Sequence, residues 1–147
     1  MAGELCRRGY LAVVTMGNTP TTDVLCSNLA GTKAVHIQVK TYVPGIKTCS
    51  VGRKSEVDNG ENFFWVLGGI PLPGQTALFE YYIIPSRIMS QNVKRQHDAW
   101  LALPGLKGQQ RNDSNVRTVH LPPHTSPTAW DISPFLDRWD LIEEKLK

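Results

Sequence analysis

Asp23, Gln38 and Lys40 are an acid, an amide and an ammonium carried on two strand-like runs, Thr22 to Asn28 and Ala34 to Tyr42, which a turn should fold against each other. Such a trio suits a phosphate ester. The carboxylate, the amide oxygen and a backbone carbonyl make a hard-oxygen set for a divalent cation, and the ammonium beside them can hold a phosphate or an attacking hydroxide. In Ala34-Val35-His36-Ile37-Gln38-Val39-Lys40 the period is two, so Val35, Ile37 and Val39 point to one face and His36, Gln38 and Lys40 to the other. Between the runs, Asn28-Leu29-Ala30-Gly31-Thr32-Lys33 puts a glycine where a tight turn needs positive φ, as Ala30-Gly31 would at the centre of a two-residue loop. In that register Leu29 faces Thr32, Asp23 faces Gln38, and Lys40 is a diagonal neighbour, with Cβ atoms about 5 to 8 Å apart. The same three residue types are also ordinary occupants of the polar side of a half-buried strand. His36 shares that side and reads as a surface or packed histidine.

The elements that must position these groups are legible on either side. Glu4 to Arg8 reads as the end of a helix closed by Gly9, and Tyr10 to Met16 as an apolar strand. Gly17-Asn18-Thr19-Pro20-Thr21 turns the chain toward Asp23. Val43 to Asn62 is polar and reads as loop with a short helix. Within it, Arg53 and Lys54 are candidates for phosphate contacts or simply a solvated charge run. Phe63 to Leu67 and Phe79 to Ile84 read as two further strands too apolar to be exposed. Ser86 should cap a helix to about Leu101, with Met89, Val93 and Trp100 inward and the basic Arg87, Lys94 and Arg95 outward. Lys94 and Arg95 could then lie along a phosphate backbone, or form an ordinary charged surface.

Residues 103–130 are expected to be one long functional or mobile loop, rich in Gly, Pro, Asn and Gln. His120 and His124 have half the spacing of a zinc site, but Pro122-Pro123 between them favours exposed loop histidines. A last helix over 134–146 is opened by Ser133-Pro134 and carries Phe135, Trp139, Ile142 and Leu146 at helical spacing, to dock on the sheet or on a second copy.

The chain has 147 residues, which reads as a single domain over 1–147 with a self-sufficient core, and a net charge of +3 that permits a polyanionic partner without requiring one. Cys6, Cys26 and Cys49 show no C-x-x-C spacing and read as reduced thiols. No run approaches the roughly 20 apolar residues of a membrane span, and the opening is not signal-like. A cytoplasmic protein is expected.

The acid at the start of one strand and the Gln-x-Lys of the next resemble the core of the PD-(D/E)XK nuclease superfamily, in the variant with Gln at the second acidic position. Around them, Ala2 to Ala12, Asn18 to Asp23, Ile37 to Thr41, Phe79 to Ser86 and His97-x-x-Trp100 resemble a bacterial group of small, mostly uncharacterised members. The resemblance implies an α+β fold with a restriction-endonuclease-like core: a central mixed β-sheet of about five strands with flanking helices. It implies catalytic roles for Asp23, Gln38 and Lys40, with Mg²⁺ or Mn²⁺ held by Asp23 and Gln38 and a phosphodiester of nucleic acid, DNA first, as substrate. In that group the opening helix runs further upstream and carries a Gly-Glu whose carboxylate helps to hold the metal. Here the helix keeps only its last two turns, so that acid is expected to be missing; Glu4 could stand in, but near the end of a short amphipathic segment it reads first as a solvated residue. Gln38 also offers the cation less negative charge than an acid would. The alternatives are a weak or inactive relative that binds nucleic acid, and an oligomeric scaffold, such as a homodimer, whose polar hairpin face has no ligand.

Overall fold

The computed structural model describes residues 1–17 and 19–147. A short helix, α1 (Ala2–Arg7), leads through Gly9, whose φ of +89° gives the reversal a side chain would resist, into strand β1 (Leu11–Val14). Strands β2 (Val24–Ser27) and β3 (Ala34–Tyr42) follow as an antiparallel hairpin. Val24 pairs with Ile37 and Ser27 with Ala34, which is the register expected from the sequence.

The turn differs in detail. Asn28 and Lys33 still pair, but the reversal spans the four residues between them. The Asn28 carboxamide accepts the N–H of Thr32 at 2.9 Å and that of Lys33 at 3.3 Å, and Gly31 supplies a φ of +68°. A side-chain amide that captures local backbone donors favours this wider loop over the two-residue turn, without moving the strands.

After β4 (Thr48–Ser50) and a 3-10 turn at Arg53–Glu56, strand β5 (Phe63–Gly69) joins β3 in parallel, and β6 (Glu80–Pro85) closes the row antiparallel to it. The sheet order β1-β2-β3-β5-β6, with one parallel pair among antiparallel ones, is the five-stranded mixed sheet of an α+β fold, as expected. Every residue of β5 is buried, the mark of a central strand covered on both faces.

The period-two alternation of β3 and β5 sorts the core into two clusters. Phe63, Trp65 and Leu67 face helix α2 (Ser86–Ala102) through Met89 and Val93. Phe64 and Val66 join Val35 and Ile37 on the reverse, against Leu5 of α1 and Ile142 and Leu146 of α3 (Asp140–Leu146). Truncating a buried Phe or Trp in such a core costs about 3–5 kcal/mol, so Phe64 and Trp65 are each indispensable to their own side.

Ser86 is the first helical residue of α2 rather than its cap, and its hydroxyl accepts the N–H of Asn59 at 2.8 Å. The expected C-terminal helix is split. Ser133–Phe135 is a 3-10 turn, Leu136 bridges to Tyr82 at the β6 edge, and Asp137 takes a φ of +51° while its N–H donates to Tyr81 at 2.7 Å. This kink carries the chain around the sheet edge, so Phe135 packs with Trp130 on the α2 side while Trp139 packs on the other.

The 103–130 segment is not structureless: strand β7 (Thr118–His120) pairs with β4 in a small second sheet beside α2. Burial there holds the His120 imidazole below its ordinary 6.5. An unfolded chain therefore takes up that proton first, and this contribution to stability is present above 6.5 and lost as pH falls through the native value. The His120 ring should titrate below 6.5 by NMR, and His120→Gln should flatten the dependence of urea midpoints on pH across that window.

Candidate active site on the sheet face

Asp23 sits one residue before β2. Its N–H donates to the Ile37 carbonyl at 2.9 Å, which extends the hairpin ladder, and its own carbonyl accepts the Thr15 N–H at 3.0 Å from the β1 side. The peptide that carries the acid is thus held between two strands. Thr15 adds a hydroxyl donated to the Thr22 carbonyl at 2.6 Å, a clamp that residue spacing alone does not reveal.

The Asp23 carboxylate is turned toward β3. One oxygen, Oδ2, accepts the Val39 N–H at 2.7 Å and the Gln38 side-chain amide. Acid and amide are therefore brought together, with Gln38 only 9% exposed. Oδ1 of Asp23 and Oε1 of Gln38 accept no hydrogen bond among the described residues, which leaves one oxygen of each for another partner. Alternation along β3 places Lys40 on the same face, beside Leu67 of β5 as Gln38 is beside Trp65. Lys40 is half-buried and has no ion pair among the described residues. Burial pushes the Cys49 thiol up to about 11, and the Lys40 ammonium opposes that rise. His36, on the same side, shares a hydrogen bond of 3.2 Å with the Thr22 hydroxyl.

Glu4 is a correction. It lies on α1, which packs its Leu5 into the reverse side of the sheet, and it borders a hollow lined by Tyr81 and Trp139 of that side. Arg7 and Arg8 hold its carboxylate at 2.8 and 3.0 Å and keep it below the ordinary carboxylate value. The structure does not bring it to Asp23. Among the described residues no group of three or more His, Cys, Asp or Glu side chains is placed to hold a metal ion. One carboxylate and one amide oxygen still suit Mg²⁺, which is commonly held by one or two carboxylates together with substrate phosphates.

The expected phosphate contacts scatter. Lys54 reaches over to donate to the Pro20 carbonyl at 2.8 Å, so it braces the loop leading into Asp23. Arg53 is exposed on the same 3-10 turn. Lys94 pairs with Asp98 at 3.2 Å and Arg95 donates to Asn92, both on the outer face of α2. Of the turn expected over Gly17 to Thr21, Asn18 lies outside the described residues.

The chain is similar over nearly its whole length to a solved structure, that of a bacterial homing endonuclease, I-Ssp6803I, at 16% identity and a TM-score of 0.50, covering 97% of this chain and 84% of that one. The chain shares the fold of that endonuclease. No protein-family model and no curated protein matches the chain. No helix among the described residues is long and apolar enough to cross a membrane.

Proposed function

We propose that this protein is a metal-dependent nuclease of the PD-(D/E)XK kind, with a Gln variant of the motif, that hydrolyses phosphodiester bonds in nucleic acid, DNA first. The observation that carries the reading is the side-chain hydrogen bond between Asp23 and Gln38 on one sheet face, with Lys40 next along β3 on that face, within a nuclease-like fold. Asp23 and Gln38 would hold Mg²⁺ or Mn²⁺ through the oxygens they leave unbonded. The ion would polarise the phosphate and lower the pKa of water. Asp23 is held in place before any substrate arrives, because its peptide is locked between β1 and β3 and its second oxygen is anchored on the Val39 N–H. Lys40, a cation without a carboxylate partner among the described residues, stabilises the negative charge that accumulates on the phosphate oxygens. The net charge of +3 adds a mild general attraction for a polyanion.

The test is cleavage of supercoiled, branched and single-stranded DNA, and of RNA, with Mg²⁺, Mn²⁺ or chelator. Cutting that needs the ion is expected, and cutting unaffected by chelator would refute the metal role. Lys40→Ala should lower turnover about a hundredfold while changing affinity only a few-fold, since losing one phosphate contact weakens binding modestly but loss of charge stabilisation acts on the barrier. Equal losses in both would reduce Lys40 to a binding residue.

A second reading is favoured by the single carboxylate of the patch and the displacement of Glu4: a relative that binds nucleic acid without cutting it, as a monomer or homodimer. Salt-sensitive binding with no cleavage under any ion would select it.

A further inference from the structure

The two edges of the main sheet are finished differently. At β6 the chain returns to cover its own edge, where Leu136 bridges to Tyr82 and the Asp137 N–H donates to the Tyr81 carbonyl. The β1 edge has no such cover among the described residues. Because the Thr15 N–H donates to the Asp23 carbonyl, Leu11, Val13 and Thr15 turn their main-chain groups to β2, and Ala12, Val14 and Met16 turn theirs outward. Those outward groups bond to no other main-chain group among the described residues.

A free sheet edge is ordinarily blunted by a lysine, a proline, a bulge or a covering segment. Leu11-Ala12-Val13-Val14-Thr15-Met16 contains no charge, proline or glycine. Its apolar side chains lie open on both faces. Leu11 and Val13, 52% and 63% exposed, are on the face that bears His36 and Gln38, while Val14 and, by alternation, Met16, 62% and 93% exposed, are on the reverse with Val24. These four leave on the order of 400 Å² of apolar surface bare, the scale of patches that mark a protein interface.

We propose that β1 is the contact surface for a second copy of this chain, paired antiparallel with its counterpart about a two-fold axis at Val14, so that five strands from each copy form one continuous sheet. Self-pairing suits this edge because one row of donors and acceptors serves both copies, and an uncharged strand sets no like charges against each other at the axis. The register follows from the outward groups. Centring on Val14 sets Val14 against Val14 of the partner subunit and Ala12 against Met16 of the partner subunit, which engages all three outward residues. Centring on Val13 instead would set Met16 against a Tyr10 whose N–H is already donated to the Leu5 carbonyl at 3.2 Å. The axis stands normal to the sheet, so both Asp23 patches face the same side, about 15 Å apart for strands spaced about 4.8 Å. Roughly 1,000 Å² is buried in all, at the low end for a specific contact, which makes this a dimer in exchange with monomer. The interface rests on the edge alone and is independent of the reaction proposed for Asp23.

The test is sedimentation velocity of the whole chain from about 1 µM to about 1 mM, a span set by the small contact area. Reversible monomer–dimer association is expected. Val14→Lys puts two ammonium groups face to face and should weaken association at least tenfold with the melting temperature unchanged. Val14→Pro deletes only an outward N–H, leaves the β1–β2 ladder whole, and should weaken it as much. Cys6→Ser combined with Val14→Cys should give a covalent dimer under a mild oxidant, since the paired Cα atoms would lie about 5.5 Å apart, within disulfide reach. A chain that stays monomeric over the whole range, a dimer that tolerates both Val14→Lys and Val14→Pro, or failure of the Val14→Cys chain to link would overturn the inference.

Discussion

Asp23→Ala is expected to remove metal-dependent cleavage, with a loss of at least about a hundredfold, because the contribution of a metal-organising group to a transition state is several kcal/mol and each 1.4 kcal/mol is about a factor of ten. The substitution removes more than charge. Val39 N–H would lose its acceptor at 2.7 Å, and the Gln38 amide, in a side chain only 9% exposed, would be left facing a void. Asp23→Asn separates the two effects, since an amide oxygen can still take the Val39 N–H while offering a cation no charge. Both variants should therefore be inactive, with Asn the better folded. A chelator-sensitive nuclease that survives Asp23→Asn would remove this residue from the mechanism and with it the proposed function.

Glu56→Ala should be the most damaging change to stability away from the aromatic core, at about 3–5 kcal/mol. Arg117 is 3% exposed, and its guanidinium donates to Glu56, to the Ser114 carbonyl at 2.6 Å and to the Val116 carbonyl at 2.9 Å, with Asp113 at 3.3 Å. Removing Glu56 leaves a buried cation with one half-exposed counter-charge, and breaking such a pair is far costlier than replacing it whole. This ion pair joins the Arg53–Glu56 turn to the segment before β7, and the Val51 and Arg53 amides reinforce the seam at 2.9 and 3.0 Å. Urea unfolding of Glu56→Ala beside the double variant Glu56→Leu, Arg117→Met would check this. Loss should be large in the single variant and smaller in the double, and equal losses would assign the effect to packing alone.

The hairpin was legible in the sequence because two independent signals agree. Alternation set which side chains share a face, and the segment around Gly31 set where the chain reverses, so Asp23 and Gln38 fell opposite each other even though the loop is wider than two residues. The buried strands β5 and β6 announced themselves by uninterrupted apolar and aromatic runs. What escaped shares a physical cause, since short elements carry too few periods to be read. β4 is Thr-Cys-Ser and β7 Thr-Val-His, each stabilised by the other at long range rather than by its own pattern. Arg117 lies in the segment expected to be one long loop and is among the most buried polar side chains. Glu4 was placed by analogy of sequence order, whereas its position follows from where Leu5 must be buried. Phe135 fits the helical spacing of Trp139 and Ile142, and only the kink at Asp137 shows that it belongs to the other face.

That division of the interior has a practical consequence. Phe64 and Trp65 are covalent neighbours yet occupy separate hydrophobic compartments, so substitutions placed in one should combine additively with those in the other. The compartment beneath α1 and α3 can thus be repacked for thermal tolerance as an independent module, while the surface that bears Asp23, Gln38 and Lys40 keeps its native shape.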